Sequence, residues 1–225
     1  MRVSVVVPTL NEAGTIGQTL TRIRQAGQCE LIVVDGGSGD ETLEIVRKSA
    51  DRVLSAQRGR AYQMNAGAQV ATGATLLFLH ADTLPPPGFP YLIEQALIDP
   101  DVVGGRFDVD LDAAGWAFRM IGALMNIRSR LTHIATGDQG IFVRRETFKS
   151  IGGYPEWDIM EDLEFSRQLK RAGKVACLRN RVQTSARRWK KHGVTKTILI
   201  MWGLRLCHFF GIRPAALKAF YVDTR

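Results

Sequence analysis

The chain has 225 residues, 45% of them apolar and 23% charged, so it can bury a sizeable core and is not a disordered chain. Three widely spaced cysteines, Cys29, Cys177 and Cys207, suit neither a disulfide framework nor a four-ligand zinc site, which points to a reducing compartment. The net charge of +8 is uneven: residues 163–225 carry 15 Lys and Arg against 2 acids, Glu164 and Asp223, while residues 1–162 carry 15 against 20, so the basic tail offers an anionic partner a surface or forms a solvated basic face.

The chain opens MRVSVVVPTL, where the apolar run stops at Pro8 after a single Arg, so the pattern of a secretory signal is missing and a cytoplasmic protein is expected. Val3 to Val7 reads as a buried strand, and Ile16, Leu20 and Ile23 space a helix over 15–25. Leu31 to Val34 is the next strand. After the turn-forming DGGSGD comes a helix over 41–48, then a short strand at Val53 and Leu54. Arg60 to Val70 reads as a helix stopped by Gly73, and Thr75 to Leu79 as a strand. Three successive βα units predict a parallel sheet with right-handed crossovers.

Farther on, Val102 to Val109 reads as a strand, Trp116 to Arg128 as a helix with an apolar stripe (Phe118, Ile121, Leu124, Met125), and Gln139 to Val143 as a short strand. A helix from Met160 to Lys170 has acids in its first turn, bases in its last and Gly173 beyond, the order that the helix dipole favours. Val175 to Leu178 closes the series. The expected class is α/β, a mostly parallel central sheet flanked by helices. One domain over 1–180 is followed by a basic, apolar helical extension over 181–225. No stretch reaches the ~18 uncharged apolar residues of a membrane span.

In open parallel sheets ligands bind beyond the carboxyl ends of the strands, and here three polar clusters stand there: PTLNEAG, DGGSGD and HADT. Neither glycine cluster has the lysine and hydroxyl of a P-loop or the spacing of a dinucleotide fingerprint. Asp35 at a strand end, beside the amides of Gly36 and Ser38, can face a nucleotide. His80 and Asp82, at i and i+2 of extended chain, lie on one side; Asp82 suits a hard divalent ion well and His80 moderately. Glu161 and Asp162 open a helix, where they either cap it or supply a general base, with at most one of them pointing at a reacting atom. Arg187, Arg188, Lys190 and Lys191 surround Trp189 and suit phosphate recognition, whereas a lone aromatic is a weak sign of nucleic acid binding, and none is expected.

Taken in order, VVVPTLNEAGTI, LIVVDGGSGDET, RGRAYQMNAGA, LFLHADT, TGDQGIFVRRE and MEDLEFSRQL resemble the family 2 glycosyltransferases with their GT-A fold, over nearly residues 1–175. The remainder, TSARRW and the basic apolar tail, is similar to a small single-domain bacterial subgroup that carries an arsenosugar-biosynthesis label. The resemblance implies an inverting transferase of the hexosyltransferase type that moves a sugar from a nucleoside diphosphate sugar, with UDP the usual carrier, to a hydroxyl acceptor. It implies that Pro8, Thr9, Asn11 and Glu12 line the nucleotide pocket, that Asp35, with Gly36 and Ser38, meets the base, and that Gly59, Arg60 and Asn65 hold the nucleoside or diphosphate. Ala81 and Asp82 would meet the nucleotide sugar, and Asp82 would belong to the metal-binding element for Mg²⁺ or Mn²⁺, with His80 where a first acid is common. Asp162 would be the base beside Glu161, Asp138 and Gln139 would face the acceptor, and Arg188 and Trp189 match the end of a QxxRW motif in which Ser185 replaces the Gln.

Two other readings compete: a sugar-1-phosphate nucleotidyltransferase, which the PTLNEAG loop disfavours, and a catalytically idle nucleotide-sugar or membrane-binding module, which the intact Glu161–Asp162 pair disfavours. In the tail, Ile198, Trp202, Leu206 and Phe209 share a helical face, with Lys190, Lys191, Lys196, Arg205, Arg213 and Lys218 around it. That pattern predicts contact with an anionic membrane or a lipid-linked acceptor on its inner face, against packing on the domain or on the second subunit of a homodimer.

Overall fold

The β-branched run at the start of the chain forms β1 (Val3–Thr9), buried along its whole length, and the stripe of Ile16, Leu20 and Ile23 turns the inner face of α1 (Ile16–Ala26) onto it. The computed structural model describes residues 2–209. In chain order there follow β2 (Glu30–Asp35), α2 (Thr42–Arg47), β3 (Arg52–Ser55), α3 (Arg60–Val70), β4 (Thr75–Phe78), β5 (Thr83–Leu84), α4 (Phe89–Ala96), β6 (Val102–Asp112) and α5 (Trp116–Thr132). A 3-10 turn (Gly137–Gln139) then leads to β7 (Ile141–Arg144), α6 (Arg145–Ser150), α7 (Glu161–Ala172), β8 (Lys174–Ser185), α8 (Arg187–His192) and α9 (Val194–Phe209).

Eight strands form one mixed sheet in the order β3-β2-β1-β4-β7-β6-β8-β5. The pairs β3–β2, β2–β1 and β1–β4 are parallel, as the three βα units require. β7 enters antiparallel between β4 and β6, and β8 runs parallel to β6. Side chains fill both faces. Ile16, Leu20, Ile23, Phe89 and Phe107 pack on one, and Met64, Phe78, Phe148, Tyr154 and Phe165 on the other. Each such fully buried side chain contributes about 1.5–3 kcal/mol. Gly67 lets α3 approach the sheet, since a Cβ there would lie 2.4 Å from a Val6 methyl.

β8 is longer than the expected Val175–Leu178: it runs twelve residues, through position 180 where the sequence reading begins an extension. Its second half is largely exposed apart from Val182 and Thr184, so the apolar pattern that betrays a strand is absent there, although β6 pairs with it again from Arg181 to Ser185 after an irregularity at Arg179 and Asn180. α9 turns Ile200, Leu204 and Cys207 onto Ile159 and Met160. Trp202 and Leu206 instead point outward, 70% and 59% exposed. Of the expected tail face, the side chains of Arg205 and Phe209, and Arg213 and Lys218 altogether, lie outside the described residues.

Candidate functional site

β1, β2 and β4 end at one edge of the sheet, and the loops that follow them build the first wall of the site. Pro8 and Thr9 are buried within β1; the Thr9 hydroxyl points back at the Val34 carbonyl and Asp35, at 3.4 Å each. Asn11, with a positive φ of 52°, donates its N–H to Ser38 Oγ at 2.9 Å and accepts from the Gly39 N–H at 2.9 Å, so it stitches the two loops together. Asp35 does not present the free carboxylate that base contact calls for. It is 1% exposed, and it accepts the Gly37 and Ser38 N–H groups at 2.8 and 2.9 Å and the Ser38 hydroxyl as well. It shapes the loop, in which Gly37 and Gly39 are exposed and Gly36 and Ser38 half-buried. Gly36 is pressed against Gln63, whose buried amide donates to the carbonyls of Thr9 at 2.7 Å and Val34 at 2.8 Å and so holds the ends of β1 and β2 at fixed spacing.

The second wall comes from HADT and the 3-10 turn. The Ala81 methyl is in the core and its carbonyl accepts the Thr19 hydroxyl at 2.8 Å, so only its backbone belongs to the edge. His80 Nδ1 lies 3.2 Å from Asp138 Oδ1, and the other side of the ring packs on Gly137, where a Cβ would lie 2.4 Å from Nε2. Nδ1 is therefore committed to Asp138, and Nε2 is the nitrogen that packs against Gly137. Asp138, named for the acceptor side, lies beside His80 and Asp82, whereas Gln139 is fully buried and cannot face an acceptor: its amide donates to Ser129 Oγ at 2.9 Å and its carbonyl accepts the Thr136 N–H.

α7 brings the third group. Asp162 is half-buried at the helix start, one oxygen accepting the Gly137 N–H at 2.8 Å and the other the Leu163 N–H at 2.8 Å, so its carboxylate is held in one orientation beside the 3-10 turn. Glu161 points inward, 3% exposed, and pairs with Arg60 Nε at 3.2 Å. Gly59 precedes Arg60 with a φ of 138°, in the range that glycine tolerates, and starts α3. Asn65, half-buried, donates to the Tyr154 carbonyl and accepts its N–H at 2.9 Å each, so it holds the loop that leads to Asp162.

The basic segment closes the site from the carboxyl end of the chain. Arg187 meets both oxygens of the buried Glu12 at 3.1 Å and lies 3.6 Å from Asp82. Arg188 lends positive charge to Asp138. Trp189 is not at the site: it packs with Leu111, Phe118, Ile121 and Ala186 and fastens α8 to α5.

The electrostatics follow from this clustering. Burial pushes the Asp82 carboxyl up; His80 and Arg187 oppose the rise, and Asp138 and Glu12 add to it. Asp138 shows 45% of its side-chain surface, but only to the crowded cleft. Burial raises its pKa, yet the hydrogen bond and charge of His80, with Arg188 and Arg60, overcome this and leave it well below the ordinary range. Burial raises the Glu161 carboxyl, against the pull of Arg60. Among the described residues no group of three His, Cys, Asp or Glu is placed to hold a metal unaided. Asp82, 21% exposed and crowded by other carboxylates, fits a hard divalent ion that takes one or two protein oxygens and fills its remaining positions with water and phosphate.

Gln63, Asn126 and Ser129 are structural partners of the site that the sequence did not reveal, and the pairing of Arg187 with Glu12 was not foreseen either. Their role is to hydrogen-bond or pair across long separations, which no local spacing encodes; only the neighbourhood of Gln63 in RGRAYQMN and Arg187 in TSARRW offered a signal. A separate shallow depression of about 880 Å³, lined by Val103, His133, Lys170 and Lys174 among others, lies where β6 and β8 begin, at the opposite end of the strands.

A sequence profile described as Glycosyl transferase family 2 matches residues 4–152. The undecaprenyl-phosphate 4-deoxy-4-formamido-L-arabinose transferase of Pseudomonas paraeruginosa is 31% identical over 158 residues, which are 63% of this chain and 46% of that protein. The chain thus spans about half the length of this relative. The PGL/p-HBAD biosynthesis glycosyltransferase of Mycobacterium bovis is 31% identical over 177 residues, 72% of this chain and 67% of its own. Among solved structures, the mannosyltransferase PcManGT from Pyrobaculum calidifontis in complex with GDP-Man and Mn²⁺ superposes with a TM-score of 0.67 at 23% identity, over 92% of this chain and 61% of that one. S. aureus TarS 1-349 in complex with UDP-GlcNAc gives 0.64 at 21% identity, over 82% and 58%. At these identities the likeness establishes the shared GT-A fold.

Proposed function

The chain belongs to glycosyl transferase family 2, and from that premise we propose that it moves a sugar from a nucleoside diphosphate sugar to a hydroxyl acceptor, with Asp162 as the general base and inversion at the anomeric carbon. The single observation that carries this reading is the placement of Asp162. Its carboxylate is half-exposed and fixed by two backbone amides, beside a cluster of Asp82, Asp138, His80, Glu12 and Arg187 at the carboxyl edge of the sheet. An acceptor-only group so fixed can take a hydroxyl proton as the oxygen attacks the sugar from the face opposite the departing diphosphate. One base and one displacement give inversion, without the second carboxylate nucleophile of a retaining hydrolase.

The leaving diphosphate needs positive charge where negative charge develops. Arg60, Arg187 and Arg188 surround the acids, and carboxylates already orient the first two, so little reorganisation is needed when phosphates arrive. A divalent cation on Asp82 would add Lewis-acid charge to the same oxygens. Thr9, Asn11, Gly36 and Ser38 shape the opening for the nucleoside. Uridine is the proposed base, supported by a structural neighbour described with UDP-GlcNAc, with the guanosine of the GDP-Man complex the competitor. A relative whose name includes undecaprenyl-phosphate supports a lipid-linked acceptor. No described helix is long and apolar enough to cross a membrane, so such an acceptor would be met at its surface.

A thermal-shift screen of UDP, GDP, ADP and their sugars, with Mn²⁺ and with chelator, tests this reading. A ligand at 100 times its Kd stabilises by about 2.7 kcal/mol. The largest shift is expected for a uridine diphosphate sugar with Mn²⁺. Absence of any nucleotide-dependent shift would contradict the function, and a GDP preference would contradict the uridine assignment.

A further inference from the structure

α5 carries an apolar face that no other described element covers. Trp116, Met120, Leu124, Ile127 and Leu131 are 71%, 43%, 54%, 54% and 78% exposed. At ~100° per residue these five side chains fall within a wedge of about 80°, so they form one continuous ridge along the helix. The opposite face is firmly seated: Ile121 packs with Leu111 and Ala186, and the Asn126 amide bonds both backbone groups of Val109 at 2.8 and 2.9 Å. The exposure is therefore a property of a rigid element and not of a loose one.

The exposed charges beside the ridge are cationic. α5 contains no Asp or Glu, Arg119 is exposed about 100° from the centre of the ridge, and Lys190 and Lys191 are exposed on α8, which packs on α5 through Trp189, whereas Arg130 turns to Asp108 and the Cys177 carbonyl and the Arg128 guanidinium is largely buried. An apolar stripe with an aromatic residue and flanking cations is the pattern of a helix that lies in a lipid–water interface. A second copy of the chain fits less well, because pairing two such ridges would bring like-charged flanks together with no acid on the helix to meet them.

We propose that the outward face of α5 rests on an anionic phospholipid bilayer, the ridge entering the headgroup boundary and Arg119, Lys190 and Lys191 meeting lipid phosphates. Membrane contact thus moves from the tail, where half of α9 packs on the domain, to a helix joined to it through Trp189 and Val194. The same helix backs the active-site edge: Ser129, on its inner side, bonds Gln139 at 2.9 Å, next to Asp138. The ridge therefore lies about one helix diameter, ~10 Å, from the acidic cluster, within reach of an acceptor held at the membrane surface. The contact does not depend on the transfer reaction.

Cosedimentation of the full chain with phosphatidylglycerol-containing and pure phosphatidylcholine vesicles tests it, with the variants Leu124→Gln/Ile127→Gln on α5 and Leu199→Gln/Leu206→Gln on α9. The expected result is binding to the anionic vesicles that weakens with salt, and that falls about tenfold or more in the α5 variant with no change in Tm. Four outcomes would overturn it: no binding by the wild type at low salt; wild-type binding by the α5 variant; loss of Tm in that variant, meaning that the chain itself covers the ridge; or a wild-type dimer that the α5 variant dissociates, meaning that a second copy does.

Discussion

Arg187 meets both carboxylate oxygens of Glu12 at 3.1 Å, across 175 residues of sequence. Glu12 sits in the loop after β1 and Arg187 opens α8, so this ion pair joins the first loop of the nucleotide side to the basic segment and closes the site around Asp82. The Glu12 side chain is 1% exposed and Arg187 38%, so loss of the arginine would leave a buried carboxylate with the Thr15 hydroxyl but without this cation.

A double-mutant cycle should therefore find coupling. Glu12→Gln and Arg187→Met should each lower stability, and the pair should lower it by less than the sum, with a coupling of about 0.5–3 kcal/mol in urea unfolding. Strict additivity would mean that the contact holds nothing together.

Asp82 carries a pKa raised by burial, so its ionised form opposes folding and that cost grows as pH rises through the folded value. Asp82→Asn removes the charge. The ligand-free variant should melt at or above the wild-type Tm at pH 7, while the Mn²⁺-dependent part of UDP stabilisation disappears. A variant that keeps that Mn²⁺ effect would remove Asp82 from the cation site.

Glu30 works in the opposite sense. Burial raises its carboxyl, but the Ser4 hydroxyl, the Thr72 N–H and hydroxyl, and Arg52 at 3.5 Å outweigh this and hold it below its ordinary 4.5. The stabilisation is full above 4.5 and is lost as pH falls through the lower folded value. Glu30→Gln should cost about 1–3 kcal/mol at pH 7 and flatten the acid limb of the stability curve. An unchanged acid limb would show that the network does not respond to this proton.

The parallel half of the sheet was legible because its strands are continuous β-branched runs between amphipathic helices, and the site's edge followed from where those strands end. Asp82, Asp138 and Asp162, each named from the sequence, are neighbours linked through His80 and Gly137. Of the other residues named, Asp35 and Gln139 turn into the protein, Asn65 ties down the Tyr154 backbone and Trp189 packs between α8 and α5. A residue type cannot tell whether a polar side chain faces a cleft or satisfies buried backbone groups; Asn65 and Gln139 do the latter. The length of β8 was hidden because its outer half is polar and takes its place from pairing with β6 rather than from its own pattern.

The central claim is that Asp162 removes a proton from the acceptor. The direct measurement is single-turnover sugar transfer by the wild type and by Asp162→Asn at saturating donor, with UDP affinity determined for both. A positioned base contributes about 10²–10⁴-fold, so transfer should fall by that factor while UDP affinity stays within about threefold. An acceptor phosphate is already ionised and needs no base. Near-normal transfer by Asp162→Asn would contradict the account and point to a phosphate acceptor.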